Sequence, residues 1–153
     1  MAACSPDSPV VLVVEDQVLV RMTAHDLLTD AGFHVIEAAN GEEALRVLQA
    51  RFDVMVVVTD IELGGGITGI DLANLIAEQS PNVGLLLSSG RTMPSPAELP
   101  AGAVFLAKPY PLSVLVQQVE TLARRGWDHP IEGGQEGGVS NIVPLRANDS
   151  ATG

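Results

Sequence analysis

The sequence predicts an α/β domain, a parallel sheet with helices packed on both of its faces. Three observations carry that prediction. Residues 54–60 (VMVVVTD) are an apolar, β-branched run bounded by turn residues, the pattern of a strand covered on both faces. Similar runs alternate along most of the chain with segments of helical apolar spacing. The central run ends on a single carboxylate, Asp60, and Gly64, Gly65 and Gly66 follow almost at once. Asp60 therefore stands at the carboxyl end of a strand, the edge at which open α/β sheets place their ligands.

Taken in order, residues 1–8 are short, polar and Pro-containing, a flexible, frayed terminus. Residues 9–14 (PVVLVV) form the first strand and run into Glu15 and Asp16. Between 17 and 30, Val18, Leu19, Met22, Leu27 and Leu28 with polar residues between them predict a helix with one buried face, closed by Gly32. Residues 33–38 are a short strand. Asn40 caps a helix over 41–50, with Glu42 and Glu43 in its first turn, where the helix dipole favours acids. The strand ending at Asp60 comes next, then a third helix around 70–76 that stops before Pro81. Residues 83–88 (VGLLLS) are the fourth strand. Pro94, Pro96 and Pro100 leave the fourth helix short or eroded. Residues 103–107 are the fifth strand, followed by Lys108 and Pro109. A last helix over 111–125 carries Leu112, Leu115, Val116, Val119 and Leu122 at helical spacing. Five such alternations belong to the flavodoxin-like (βα)5 class, a doubly wound sheet of strand order 2-1-3-4-5. The domain spans 9–125. Residues 126–153, dominated by Gly, Asn, Asp and Ser, read as a disordered or loosely attached tail.

Composition bounds the function. Hydrophobic residues make up 46% but aromatics only 3%, so the core is built of Val, Leu, Ile and Ala. A formal charge of −11 argues against binding nucleic acid, which needs a basic face. The single cysteine, Cys4, permits no intrachain disulfide and fits a reducing compartment. The first residues lack the pattern of a signal peptide, and no apolar run approaches the roughly 20 residues that span a bilayer. A soluble cytoplasmic protein is the expectation, with no membrane partner.

The strand ends bring Glu15, Asp16, Asp60 and Lys108 to one edge. Carboxylates gathered there repel one another unless a cation sits between them. Oxygen ligands from Asp16 and Asp60, with a backbone carbonyl and waters, suit Mg²⁺. Such an ion neutralises charge on a transferred phosphoryl group, and Asp60 is then the nucleophile that forms an acyl phosphate. Lys108 supplies a compact positive charge to a phosphoryl oxygen, Ser89 a hydroxyl to another, and Gly90 leaves room for the donor.

With Val13-Val14-Glu15-Asp16, Thr59-Asp60, Ser88-Ser89-Gly90 and residues 105–110 (FLAKPY) in this order, the chain resembles a response-regulator receiver domain, the phosphoacceptor module of two-component signalling. The resemblance covers about residues 9–125. It implies that Glu15 and Asp16 are the acidic pair, Asp60 the phosphorylation site and Lys108 the conserved-type lysine. It further implies that Ser89 is the switch hydroxyl, Phe105 the switch aromatic, and that Glu62 gives its backbone carbonyl to Mg²⁺. The Lys108–Pro109 peptide is expected to be cis. The implied donor is a histidine kinase or histidine phosphotransfer protein. No output domain is expected, so the phosphorylated form would act by docking to another protein or by relaying phosphate; a homodimer is compatible with this. Its only catalysis would be its own phosphorylation and dephosphorylation.

The chain departs from the family pattern in three places. The loop over 63–69 is Gly-rich and one residue longer, the fourth helix is eroded by prolines, and Ser stands at 89 where Thr is commoner. The proline-rich segment leaves partner face and dimer mode open. Two other functions are weighed: a degenerate receiver that binds partners without phosphorylation, and a small phosphatase using Asp60, for which no general acid or cap is evident. Gly64 to Gly66 is not a P-loop, since no Lys-Ser/Thr follows. His25, His34 and His129 form no metal pattern, and residues 139–145 (VSNIVPL) read as a linker remnant. Glu62 and Arg91, each two residues past a site residue, overhang the pocket mouth as an opposite-charge pair that would shield the acyl phosphate. Replacing either by Ala is expected to change dephosphorylation more than phosphorylation.

Overall fold

The computed structural model describes residues 8–128. The tail beyond them, residues 1–7, and with these Cys4, His129 and the segment 139–145, lie outside the described residues. The elements are β1 Val10–Val14, α1 Val18–Asp30, β2 His34–Ala38, α2 Gly41–Ala50, β3 Val54–Asp60, α3 Gly69–Gln79, β4 Gly84–Ser89, a 3-10 turn Pro96–Glu98, β5 Val104–Ala107 and α4 Leu112–Asp128. All strand pairs are parallel and the order is β2-β1-β3-β4-β5, as the class requires.

The continuous apolar strands are explained by two cores. Val10, Leu12 and Val14 of β1 point to one face of the sheet, Val11 and Val13 to the other. The first face is covered by α2 and α3 through Ala44, Leu72, Ala73 and Ile76. The second is covered by α1 and α4 through Leu28, Leu115, Val119 and Leu122. A bulge opposite Val10 and Val11 leaves Met55 out of register, so that Val54 and Val56 face opposite cores.

Helix starts follow their caps. Asn40 accepts from Glu43 N–H at 2.8 Å, and Glu43 reaches back to Ala39 N–H at 2.7 Å. Thr68 and Asp71 form a full capping box at the start of α3. Gly32 ends α1 with φ +103°, a conformation other residues reach only with strain. The proline-rich segment keeps only the 3-10 turn in place of a fourth α-helix, as expected.

Three details differ from the sequence reading. Val18, Leu19 and Met22 were expected on the buried face of α1, yet they are 55%, 76% and 49% exposed. At about 3.6 residues per turn, they lie roughly half a turn from Ala24, Leu27 and Leu28, which do reach the core. The helix carries two apolar stripes, and only one is covered. Leu112 at the first position of α4 is also exposed, and α4 runs on to Asp128 rather than ending at 125.

Candidate functional site

Each site residue is set in place by backbone pairing at the carboxyl edge. Asp60 ends β3 opposite Ser88, and Ile61 N–H donates to Ser88 O at 2.8 Å. Glu15 continues from β1, its N–H bonded to Ala38 O at 3.1 Å. Arg21 Nη1 donates to Glu15 O at 2.7 Å while its Nε holds Glu37 at 3.0 Å, so the turn after β1 is tied to α1 and β2. Lys108 follows β5, its N–H bonded to Ser89 O at 2.9 Å, and the Lys108–Pro109 peptide is cis.

These pairings converge three carboxylates and one ammonium. One oxygen each of Glu15, Asp16 and Asp60 lies within 4.8 Å of the others. Glu15 and Asp60 are buried and Asp16 is exposed. Lys108 Nζ stands 3.3 Å from Asp60 Oδ1 and 3.9 Å from Glu15 Oε1. Gly64 N–H, in the glycine-rich loop, donates to Asp16 Oδ2 at 3.0 Å. Gly65 and Gly66 make that return with φ of +63° and +55°.

Burial raises the Asp60 carboxyl above its ordinary range, against the opposing charge of Lys108. Burial likewise raises Glu15, against the Gln17 N–H that bonds it. For Lys108, burial alone favours the neutral amine, but the charges of Asp60 and Glu15 outweigh it and hold the ammonium. The site thus carries excess negative charge with one cation to offset it. Asp60 Oδ1 is buried and makes no well-aligned hydrogen bond, with the Lys108 ammonium 3.3 Å away. A buried oxygen so placed, among three hard carboxylate donors, fits Mg²⁺. Glu15, Asp16 and Asp60 would hold it.

Ser89 is buried, and its hydroxyl is fully engaged. It donates to Glu62 Oε2 at 2.7 Å and accepts from the N–H groups of Arg91 at 3.1 Å and Thr92 at 2.7 Å. Ser88, its neighbour, instead bears on the Tyr110 phenol. Glu62 takes a second hydroxyl, from Thr92 Oγ1 at 2.6 Å. Burial pushes Glu62 up, but the two hydroxyls outweigh it and hold the carboxylate below its usual value.

The expected Glu62–Arg91 pair is not formed among the described residues. The Ser89 and Thr92 hydroxyls occupy the carboxylate, and the exposed Arg91 acts on it only through its field. Phe105 is wholly buried among Leu87, Leu99 and Ala103, pointing into the core and away from solvent.

Gly69, Thr92 and Arg21 escaped the sequence reading. Gly69 opens α3, its N–H donating to Ile61 O at 2.9 Å; a Cβ there would overlap the Asp60 carbonyl oxygen and come within 2.8 Å of Ile61 Cα. The Thr68-x-x-Asp71 capping pattern was visible in the sequence, but the close approach behind Asp60 was not. Thr92 and Arg21 carry no local signal, because their partners are distant in sequence.

A doubly wound sheet whose carboxyl edge gathers three carboxylates, a lysine and a hydroxyl has the build of a signalling receiver. The chain belongs to the response regulator receiver domain family, whose model matches residues 11–120. It is 36% identical over 84 residues to the aerobic respiration control protein ArcA of Escherichia coli K12, covering 55% of this chain and 34% of ArcA. It is 30% identical over 118 residues to the transcriptional regulatory protein PdtaR of Mycobacterium tuberculosis H37Rv, covering 75% of this chain and 57% of PdtaR. The chain therefore spans only part of the length of these relatives. Among solved structures, a receiver protein from Sinorhizobium medicae superposes with a TM-score of 0.74 at 26% identity, covering 80% of this chain and 99% of that one. The response regulator TrrA from Thermotoga maritima, solved in complex with Mg²⁺ and BeF, gives 0.64 at 26% identity, covering 74% and 97%. No helix among the described residues is long and apolar enough to cross a membrane.

Proposed function

We propose that Asp60 accepts a phosphoryl group from a phosphohistidine on a partner protein. The observation that carries this reading is the Asp60 carboxylate itself, buried at a strand end, 3.3 Å from Lys108 and grouped with Glu15 and Asp16. An Asp60 oxygen attacks phosphorus, the O–P bond forms as the P–N bond breaks, and the imidazole leaves with the electron pair. Lys108 stabilises charge on a phosphoryl oxygen. Mg²⁺, when bound by Glu15, Asp16 and Asp60 with the Glu62 backbone carbonyl, supplies the charge neutralisation that lets a dianionic donor approach. Ser89 is the switch hydroxyl and Phe105 the switch aromatic. The donor is a histidine kinase or histidine phosphotransfer protein in the cytoplasm. The exposed stripe of Val18, Leu19 and Met22, beginning two residues after Asp16, gives it an apolar seat beside the pocket. The phosphoryl charge then biases two conformations of the domain.

The test is intact-protein mass spectrometry after incubation with acetyl phosphate and Mg²⁺. One added phosphoryl group is expected, absent without metal and absent in Asp60→Asn. Steady release of phosphate from small esters without a labelled protein would replace this reading with an esterase-like one.

A further inference from the structure

We propose that Glu62 is a positioning residue, a latch that withholds the Ser89 proton from the phosphoryl site and ties down Thr92 until Asp60 is loaded. This rests on the phosphoacceptor reading above. A serine hydroxyl has one proton to donate. Here that proton goes to Glu62 Oε2 at 2.7 Å, while the N–H groups of Arg91 and Thr92 fill the acceptor side of the same oxygen. A phosphoryl oxygen on Asp60 can receive a hydrogen bond from Ser89 only if Glu62 gives it up. The two acceptors compete for one donor.

The rest of the latch is Thr92, whose hydroxyl reaches the same Glu62 oxygen at 2.6 Å. Among the described residues, Glu62 has no cation in ion-pair contact, and its long-range side-chain hydrogen bonds are those from the two hydroxyls. A phosphoryl group adds about −1.5 to −2 charge to an edge already holding Glu15, Asp16 and Asp60. Of the four carboxylates, Glu62 is the one whose side chain stands outside the Glu15, Asp16 and Asp60 cluster and on the Ser89 hydroxyl, so the added charge works against its hold on that hydroxyl. Its departure frees the Ser89 O–H to donate to a phosphoryl oxygen and releases the Thr92 hydroxyl, whereas the Arg91 and Thr92 N–H groups are held by Ser89 Oγ itself. Thr92 sits between β4 and the 3-10 turn, in a segment with no α-helix of its own. Loading of Asp60 is thereby coupled to the Thr92 side chain in the segment that follows β4.

The experiment is a beryllofluoride titration with Mg²⁺ on the full chain, the complex standing in for the phosphoryl group. Wild type is compared with Glu62→Ala, Thr92→Val and Thr92→Ser, and Glu62→Ala is repeated in a Ser89→Ala background. The latch requires Glu62→Ala to bind about tenfold more tightly, the equivalent of about 1.4 kcal/mol. Thr92→Val should tighten binding about two- to threefold, within the worth of one hydrogen bond, and Thr92→Ser should restore the wild-type value. Without the Ser89 hydroxyl the gain from Glu62→Ala should shrink to what charge repulsion alone gives. Equal or weaker binding by Glu62→Ala, or an undiminished gain in the Ser89→Ala background, overturns the latch and leaves the receiver reading standing. Failure of wild type to bind at all overturns both.

Discussion

Gly69 shows how a residue outside the carboxylate cluster fixes the backbone behind Asp60, and Tyr110 how the burial around the site can be read out. Gly69 has α3 begin hard against the Asp60 carbonyl, where main chain cannot yield to an added methyl. Gly69→Ala is expected to cost about 1–3 kcal/mol in urea unfolding. It should also slow acetyl phosphate labelling by up to about 100-fold, since small displacements of a reacting group are that costly. A stable variant labelled at the wild-type rate would show that the contact is slack. Tyr110 is the single tyrosine, so its ionisation can be followed by absorbance without interference. Burial raises its phenol above the ordinary value, against the opposing influence of the Lys108 charge and the Ser88 side chain. The folded protein therefore binds that proton more tightly than the unfolded chain. Stability is unaffected below the ordinary phenol value and falls as pH climbs from there through the raised one. Ser88→Ala removes an opposing influence and should move the titration further up.

The helix α1 is where sequence periodicity misled and is also where it can be checked. Five apolar residues suggested one buried face, but two sets lie about half a turn apart, and spacing alone does not say which set meets the sheet. The remaining elements were legible because their signals are local: β-branched runs, Asn40 and its acids, and the prolines that reduce the fourth helix to a turn. The same holds for the site. Asp60, Glu15, Asp16 and Lys108 were readable because strand ends share an edge. The pairing of Glu62 with Ser89 and Thr92 was not, since sequence order carries no information on which acceptor a hydroxyl chooses. In α1, Leu28→Ala is expected to lose about 2–5 kcal/mol in chemical denaturation. Leu19→Gln, on the exposed stripe, should stay within about 0.5 kcal/mol of wild type. Comparable losses from both would show that the second stripe is covered as well.

The fold concentrates negative charge at one edge, where Lys108 offsets part of it. Asp60 and Glu15 both have carboxyls raised by burial, so the folded state holds their protons more tightly than the unfolded chain. In metal-free buffer, stability from these groups falls as pH rises from the ordinary carboxylate range through the raised values. Asp60→Asn should therefore raise Tm by a few degrees at neutral pH without metal. Mg²⁺ at about 100 times its Kd should stabilise wild type by about 2.7 kcal/mol and Asp60→Asn by clearly less. Equal Mg²⁺ responses in scanning calorimetry would move the ion away from Asp60. A phosphoryl group on the Asp60 carboxylate would be an acyl phosphate, which has a chemistry of its own. Borohydride reduces it to an alcohol, turning the aspartate into homoserine, which peptide mass spectrometry locates. After treatment with acetyl phosphate and Mg²⁺, a single homoserine at position 60 is predicted. A phosphoryl adduct that resists reduction, or one mapped to Ser89, a histidine or another carboxylate, would contradict it.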